Sequence, residues 1–145
     1  MAQEVAAGRV ILVNAGVWDQ VSKLSLKTPI GGNSGMPTLI GVAPGDPGAT
    51  DVSVMPLDQI IAELGVDRVD FIKMDIEGSE RQALNGAVKT LARFKPRMAI
   101  CSYHLEDDPV RLPEIAKRTY SGYRIHAKDF EIILGRLQPK VLFFQ

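Results

Sequence analysis

Three carboxylates stand close together in residues 73–80 (KMDIEGSE). The segment follows a short apolar run and precedes an amphipathic stretch, which predicts that it joins a strand to a helix. Glu80 would lie in the first helical turn, where the helix dipole favours a negative charge. Carboxylates this close repel one another unless a cation or a shared proton lies between them. Asp75 and Glu77 are therefore candidates for proton transfer or cation binding; the alternative is that Glu80 only stabilises the helix and Glu77 is solvated.

A second group of polar residues, at 102–108 (SYHLEDD), follows another predicted strand. Consecutive parallel strands joined by one helix are usually neighbours, so Asp75, Glu77 and His104 are expected to meet at one edge of the sheet. A histidine beside carboxylates suits general-base catalysis, and the same three side chains could ligate a divalent metal. Lys73 shares a strand face with Asp75, so it either pairs with that carboxylate or presents its charge to a ligand.

Hydrophobic spacing predicts the elements that would hold these two segments. Strands alternate with helices, which is typical of a parallel sheet covered by helices, and the last two strands are expected to pair antiparallel. The sequence therefore predicts an α/β fold in three layers, with a mostly parallel sheet and an antiparallel C-terminal pair. Strands are predicted at Arg9–Val13, Val21–Leu26, Asp51–Met55, Val69–Met74, Arg97–Ser102, Tyr123–Ala127, Glu131–Leu134 and Val141–Phe144.

Helices are predicted between these strands. The helix predicted to start at Ser79 begins with an S-x-x-Q capping box, which Ser79 forms with Gln82. Strands 21–26 and 51–55 could form a hairpin closed by the loop 29–48, in which ten of twenty residues are Gly or Pro. Such a loop is either a surface connection or a functional lid. The helices are predicted from Pro56 to a stop at Gly65, from Ser79 to Phe94, and near Val110–Arg118.

Length and charge restrict the class of protein. The 145 residues correspond to a single domain, residues 1–145. The 17 Lys and Arg balance the 17 Asp and Glu, and a net charge of zero argues against a general nucleic-acid or anionic-membrane binder. The lone Cys101 cannot form an internal disulfide, and the sequence shows neither a membrane span nor a signal peptide. These features predict a soluble, cytoplasmic protein.

Residues 69–84 (VDFIKMDIEGSERQAL) resemble the hallmark of the FkbM-type S-adenosylmethionine-dependent methyltransferases, which reads K-x-D-x-E-G-x-E before a helix with an L-x-G-A core. Gly86-Ala87 completes that core, and Lys95-Pro96 precedes the next strand, as in the family. Residues 12–19 (LVNAGVWD) resemble the third-strand segment of the family, and residues 53–60 (SVMPLDQI) the segment before the hallmark strand. With Tyr103-His104 at the end of the following strand, the resemblance covers about residues 9–145.

The resemblance implies a Rossmann-like methyltransferase fold, S-adenosylmethionine as the cofactor and a small-molecule acceptor with a hydroxyl group. It places Asn14 and Ala15 beside the adenine of the cofactor. On the acceptor side, the candidate catalytic residues are Asp75, Glu77 and His104, with His104 as a possible base, and the candidate substrate-binding residues are Lys73, Glu80 and Tyr103.

The sequence departs from the family pattern at its start, because it begins at the segment that resembles the third strand. The first strand with its glycine-rich turn and the second strand with its ribose-binding acid are both absent, so we expect a truncated domain with an incomplete cofactor site. The hallmark strand normally pairs with the first strand. Its free edge must therefore be covered by Val10–Val13 or by another subunit, and we predict a homodimer or larger homo-oligomer.

Two other functions fit the same residues. A domain that kept the fold but lost the cofactor could bind a small polar ligand, a divalent cation or a partner chain through its acidic strand ends. A metal-dependent enzyme could use Asp75, Glu77 and His104 as ligands.

Overall fold

The structure is a computed structural model that describes residues 1–27, 42–43, 45–133 and 135–145. At residue 133 it describes the backbone alone. Most of the predicted loop 29–48 lies outside the described residues. The helices are α1 (Ala2–Ala6), α2 (Leu57–Glu63), α3 (Glu80–Asn85), α4 (Val88–Phe94) and α5 (Asp108–Thr119), and the strands are β1 (Gly16–Val17), β2 (Ser22–Lys27), β3 (Ala49–Met55), β4 (Phe71–Met74), β5 (Arg97–Cys101), β6 (Ile125–Ile133) and β7 (Arg136–Phe144).

A four-stranded sheet of order β4-β5-β7-β6 carries the C-terminal half of the chain. Strand β4 runs parallel to β5, and β7 runs antiparallel to both β5 and β6, so three of its four strands share one direction. The antiparallel C-terminal pair is confirmed. The two strands predicted at 123–127 and 131–134 are wrong as separate elements, because β6 is continuous. Asp129, at φ +54°, marks the irregularity between them, while pairing continues on both sides.

A separate three-stranded sheet of order β1-β3-β2 carries the N-terminal half, so the described residues form two sheets rather than one. The predicted hairpin is confirmed: β2 pairs antiparallel with β3, with Ser22 opposite Val54. The predicted strand Arg9–Val13 is wrong. Only Gly16–Val17 forms a strand there, parallel to β3, and Leu12 is 67% exposed. Val10–Val13 therefore does not cover the free edge of β4.

The helix predicted from Ser79 to Phe94 is two helices, because α3 ends at Asn85 and α4 begins at Val88. Gly86 lies against the backbone after β1, where an added Cβ would be 2.0 Å from the carbonyl oxygen of Trp18. The carboxylate of Asp58, in α2, accepts the N–H groups of residues 89 and 90 at 2.8 and 2.7 Å. Contacts from α2 and β1 thus fix the break and cap the start of α4.

The predicted capping box is also wrong. Ser79 occupies the N-cap position of α3 but makes no side-chain cap hydrogen bond. Among the described residues, the buried Oγ of Ser79 and Oε1 of Gln82 find no hydrogen-bond partner. Glu80 acts locally instead, since its Oε1 accepts the N–H of Ile76 at 2.9 Å.

The core lies between the four-stranded sheet and helices α3, α4 and α5. Val17 and Leu57 pack against it and so join the N-terminal sheet and α2 to the C-terminal half. No helix in the described part of the chain combines the length and apolar character needed to cross a membrane. The buried core residues are Met74, Ala83, Leu84, Ala87, Leu91, Met98, Ile100, Leu112, Ile115, Ala116, Tyr123, Leu142 and Phe144.

Candidate active site

The carboxyl ends of β4 and β5 meet at one edge of the four-stranded sheet, as the sequence predicted. The parallel register pairs Met74 with Ile100, so the segments that follow the two strands begin side by side. The hydroxyl of Tyr103 donates to Oδ1 of Asp75 at 3.1 Å. Ligands of open α/β sheets bind at such edges, beyond the strand ends.

His104 lies at the centre of the cluster, and its side chain is only 8% exposed. Its Nε2 is 3.7 Å from Oδ1 of Asp75 and 3.5 Å from Oε2 of Glu77, while its Nδ1 is 3.0 Å from Oε1 of Glu80. The contact with Glu80 has the distance of a hydrogen bond but not its direction. Within the described part of the chain, both ring nitrogens lack a hydrogen-bond partner. Three carboxylates therefore surround one buried imidazole whose nitrogens are not yet satisfied.

Glu80, a candidate substrate-binding residue, has a side chain only 1% exposed. It offers no surface to a substrate in this structure. Because its Oε1 accepts the N–H of Ile76 and lies next to Nδ1 of His104, the carboxylate is held in place behind the imidazole. Glu80 is thus arranged to position His104.

The turn between β4 and α3 directs the carboxylate of Glu77 toward Nε2 of His104. Glu77 has φ +55° and Gly78 has φ +93°, both in the left-handed region. Glycine adopts this conformation freely, whereas a glutamate there is strained by about 1–2 kcal/mol. The turn brings the Glu77 carboxylate to His104.

Asp75 is ionised within a network of donors. Burial opposes its charge, but side-chain hydrogen bonds from Cys101, Lys73 and Tyr103 outweigh burial and hold the pKa of Asp75 below its ordinary value. Nζ of Lys73 lies 3.2 Å from Oδ2 of Asp75, so of the two predicted alternatives for Lys73 the pairing with Asp75 is present. Burial, together with the hydrogen bond to Asp75, raises the pKa of Tyr103 to about 12. Near neutral pH, Asp75 is therefore an anion and Tyr103 a neutral donor.

Sequence reasoning missed Cys101 and Lys140 as neighbours of this site. Cys101 is buried, with its Sγ 3.7 Å from Nζ of Lys73, and burial raises the pKa of its thiol. Nζ of Lys140, on β7, stands 5.5 Å from the ring centre of Tyr103. The parallel register of β4 and β5 would have predicted the place of Cys101 at the same strand ends. The place of Lys140 depends on the return of β7 alongside β5, which no local pattern indicates.

Asn14 and Ala15, the candidate cofactor residues, lie in a different place. They line a cleft of about 350 Å³ beside β1 and β3, together with Asp51 and Ser53. No described contact joins this cleft to the carboxylate cluster. The structure thus brings together the six other candidate residues and leaves Asn14 and Ala15 beside the N-terminal sheet, just before β1.

The sheet order, the single reversed strand β7 and the polar strand ends define an α/β domain with a candidate site at its strand ends. The family model "Methyltransferase FkbM domain" matches residues 7–131, and the chain belongs to this family. The structure of this chain is similar to a crystal structure of the methyltransferase FkbM from Methylobacillus flagellatus KT, with a TM-score of 0.66 and 25% sequence identity. The match covers 99% of this chain but 31% of that chain, so the chain spans about a third of the length of that protein. No curated protein matches the sequence.

Proposed function

We propose that the chain forms the acceptor side of an S-adenosylmethionine-dependent O-methyltransferase that acts on a hydroxyl group of a small molecule. The family match supports methyl transfer. The observation that carries the acceptor side is the meeting of Asp75 and His104 beyond the ends of two adjacent parallel strands.

Methyl transfer from a sulfonium ion needs positioning more than covalent help. The acceptor oxygen attacks the methyl carbon, a C–O bond forms as the C–S bond breaks, and the cofactor leaves as a neutral thioether. The hydroxyl proton must pass to a base in the same event. Asp75 or His104 would orient the hydroxyl and take this proton, while Lys73 and Tyr103 would hold other polar groups of the acceptor.

The cofactor would lie against the N-terminal sheet. Asn14 and Ala15 line a cleft at the end of the segment that resembles the third strand of the family. The amide of Asn14 offers both a donor and acceptors, which matches the hydrogen-bonding edge of an adenine.

Because the sequence predicts an incomplete cofactor site, the 145-residue chain is expected to bind S-adenosylmethionine only weakly, with a high-micromolar Kd in a calorimetric titration. Asn14→Ala removes the proposed hydrogen bonds to the adenine and should weaken binding about tenfold. Asn85→Ala, at an exposed position of α3, is the matched control and should bind as the wild type does. His104→Gln, on the acceptor side, should also leave cofactor binding unchanged. If millimolar S-adenosylmethionine gives no binding heat, the proposed methyltransferase function is contradicted and a non-catalytic domain is favoured.

We further propose that the four-stranded sheet belongs to a three-layer arrangement.

We also propose that two copies of the chain associate through β4. In the described residues β4 pairs with β5 alone, which leaves the backbone groups of its other edge available to another strand. Val17 and Leu57 face Ile72 across an apolar cavity of about 130 Å³ without pairing with β4. A strand from a second copy would satisfy the free edge.

Light scattering at micromolar concentration is expected to give at least the mass of a dimer. Phe71→Lys places a charge on the exposed part of the β4 edge and should shift the protein toward the monomer. Phe130→Lys is the matched control, because Phe130 is similarly exposed, at 55% against 52%, but lies on β6. A monodisperse monomer of the wild-type chain would contradict the proposal.

A further inference from the structure

We propose that Asp75, Glu77 and His104 form a binding site for a divalent transition-metal cation of the Mn²⁺ class. Each residue offers one ligand atom, and the three atoms lie within 4.8 Å of one another. Two carboxylate oxygens and one imidazole nitrogen make a donor set that suits Mn²⁺, Fe²⁺ and Zn²⁺. Mg²⁺ prefers oxygen ligands and keeps much of its water, so it fits this set less well.

Two of the three ligand-atom separations lie near those of one coordination sphere, and all three are within 4.8 Å. Ligand atoms about 2.1 Å from a common ion lie roughly 3.0 to 3.5 Å apart. Nε2 of His104 is 3.5 Å from the Glu77 oxygen and 3.7 Å from the Asp75 oxygen. Small side-chain rotations that move the ligand atoms by a few tenths of an ångström would bring these two separations into that range.

The buried histidine is the second, independent indication of a ligand. The His104 side chain is more than nine-tenths buried, and within the described part of the chain neither ring nitrogen has a hydrogen-bond partner. A buried nitrogen without a partner destabilises the folded state, so such a group requires an explanation. A cation at Nε2 supplies the missing partner, and Nε2 is the nitrogen that faces Asp75 and Glu77.

Glu80 completes the arrangement from the other side of the ring. Histidines that bind metals usually direct their second nitrogen at a carboxylate, which fixes the ring and strengthens the ligand. Oε1 of Glu80 lies 3.0 Å from Nδ1 of His104 and is itself held by the N–H of Ile76. A small turn of the imidazole would align the N–H of Nδ1 with this oxygen. Lys73 contacts Oδ2 of Asp75. Oδ1 accepts one hydrogen bond, from Tyr103, and its second lone pair is available to the proposed ion.

The competing explanation is a protonated His104 that pairs with the surrounding carboxylates and needs no metal. The two explanations differ in a measurable way, because only a metal gives a stoichiometric ion-binding signal that depends on His104. A bound cation would also contact the acceptor hydroxyl and lower its pKa, and Asp75 and His104 would then serve as its ligands while the hydroxyl proton passes to solvent water. This catalytic role rests on the proposed function, whereas binding of the metal does not.

The test uses the tag-free 145-residue chain, stripped with a chelator and titrated with MnCl₂, with free Mn²⁺ followed by electron paramagnetic resonance. We expect one ion per chain, a micromolar Kd, and affinity for Mg²⁺ at least tenfold weaker. The bound ion should also show the nitrogen coupling of an imidazole ligand in pulsed spectra.

Variants in matched pairs assign the site. His104→Gln should weaken Mn²⁺ binding at least about 100-fold and remove the nitrogen coupling, whereas His126→Gln, at an exposed position of β6, should change neither. Glu77→Gln should weaken binding at least about tenfold, with the exposed Glu63→Gln as its control. The Glu77 side chain is 25% exposed, so this variant is expected to fold even if His104→Gln does not.

Binding weaker than millimolar, or equal affinity in wild type, His104→Gln and Glu77→Gln, would overturn the metal site. The titration needs no cofactor, so its outcome is separate from that of the proposed methyl transfer. If the chain binds the metal but not the cofactor, only the proposed methyltransferase function is contradicted. If it binds the cofactor but not the metal, only the proposed metal site is contradicted.

Discussion

Gly86→Ala is expected to lower the free energy of unfolding by about 3 kcal/mol. The new Cβ would lie 2.0 Å from the carbonyl oxygen of Trp18 and 3.2 Å from Cα of Asp19, and backbone atoms cannot move aside as a flexible side chain can. Overpacking of this kind costs about 1–3 kcal/mol or more. The effect should appear in urea unfolding and as a fall in Tm of roughly 10 °C.

The sign of this effect is informative because backbone preference alone predicts the opposite. Gly86 has φ −80° and ψ 2°, which any residue adopts, and Ala is a better helix former than Gly by about 1 kcal/mol. Asn85→Ala, one residue earlier and exposed, is the control and should change stability by no more than about 0.5 kcal/mol. A Gly86→Ala protein as stable as the wild type would show that the end of β1 does not pack against the break between α3 and α4.

The same contact explains one limit of the sequence prediction. The apolar spacing from residue 79 to 94 is continuous, so it predicts one helix. The break at Gly86 is set by Trp18 and by Asp58, which lie many residues away and are brought there only by the packing of β1 and α2. Local periodicity contains no information on such contacts.

The segment Arg9–Val13 was mispredicted for a related reason. A run of β-branched and apolar residues becomes a strand only where another strand pairs with it, and in the described part of the chain this run has no such neighbour. Strands 22–27 and 49–55 were predictable because they pair with each other, and their alternation fits one buried face.

The carboxylate cluster around His104, our proposed acceptor side, was largely predictable from the sequence. Consecutive strands joined by a helix are usually adjacent and parallel, so the strand ends after Met74 and Cys101 had to lie side by side. This rule places Asp75, Glu77 and His104 together without any structural information. It does not predict the burial of Glu80, because that depends on how the His104 segment folds over the first turn of α3.

The segment that carries His104 is held by Asp108, and Asp108→Ala is expected to cost about 3 kcal/mol of stability. The Asp108 side chain is fully buried and accepts the Nε–H of Arg81 at 2.6 Å and the N–H of Leu105 at 3.0 Å. These bonds tie α3 to the start of α5 and to the residue that follows His104. Removing one partner of a buried, hydrogen-bonded ion pair costs about 3–5 kcal/mol, and the contact of Arg81 with Asp107 keeps the loss near the lower limit.

Urea unfolding of a double-mutant cycle measures this coupling directly. Arg81→Ala and Asp108→Ala should be non-additive by at least about 1 kcal/mol, because they remove the same interaction. Glu114→Ala is the control: its pair with Arg111 is exposed, and such pairs contribute about 0.2–1 kcal/mol. Additive losses, or an Asp108→Ala protein within 1 kcal/mol of wild type, would contradict the buried link. In a variant that still folds, the NMR resonances of His104 should shift, because the loss of the Leu105 hydrogen bond releases the backbone next to the imidazole.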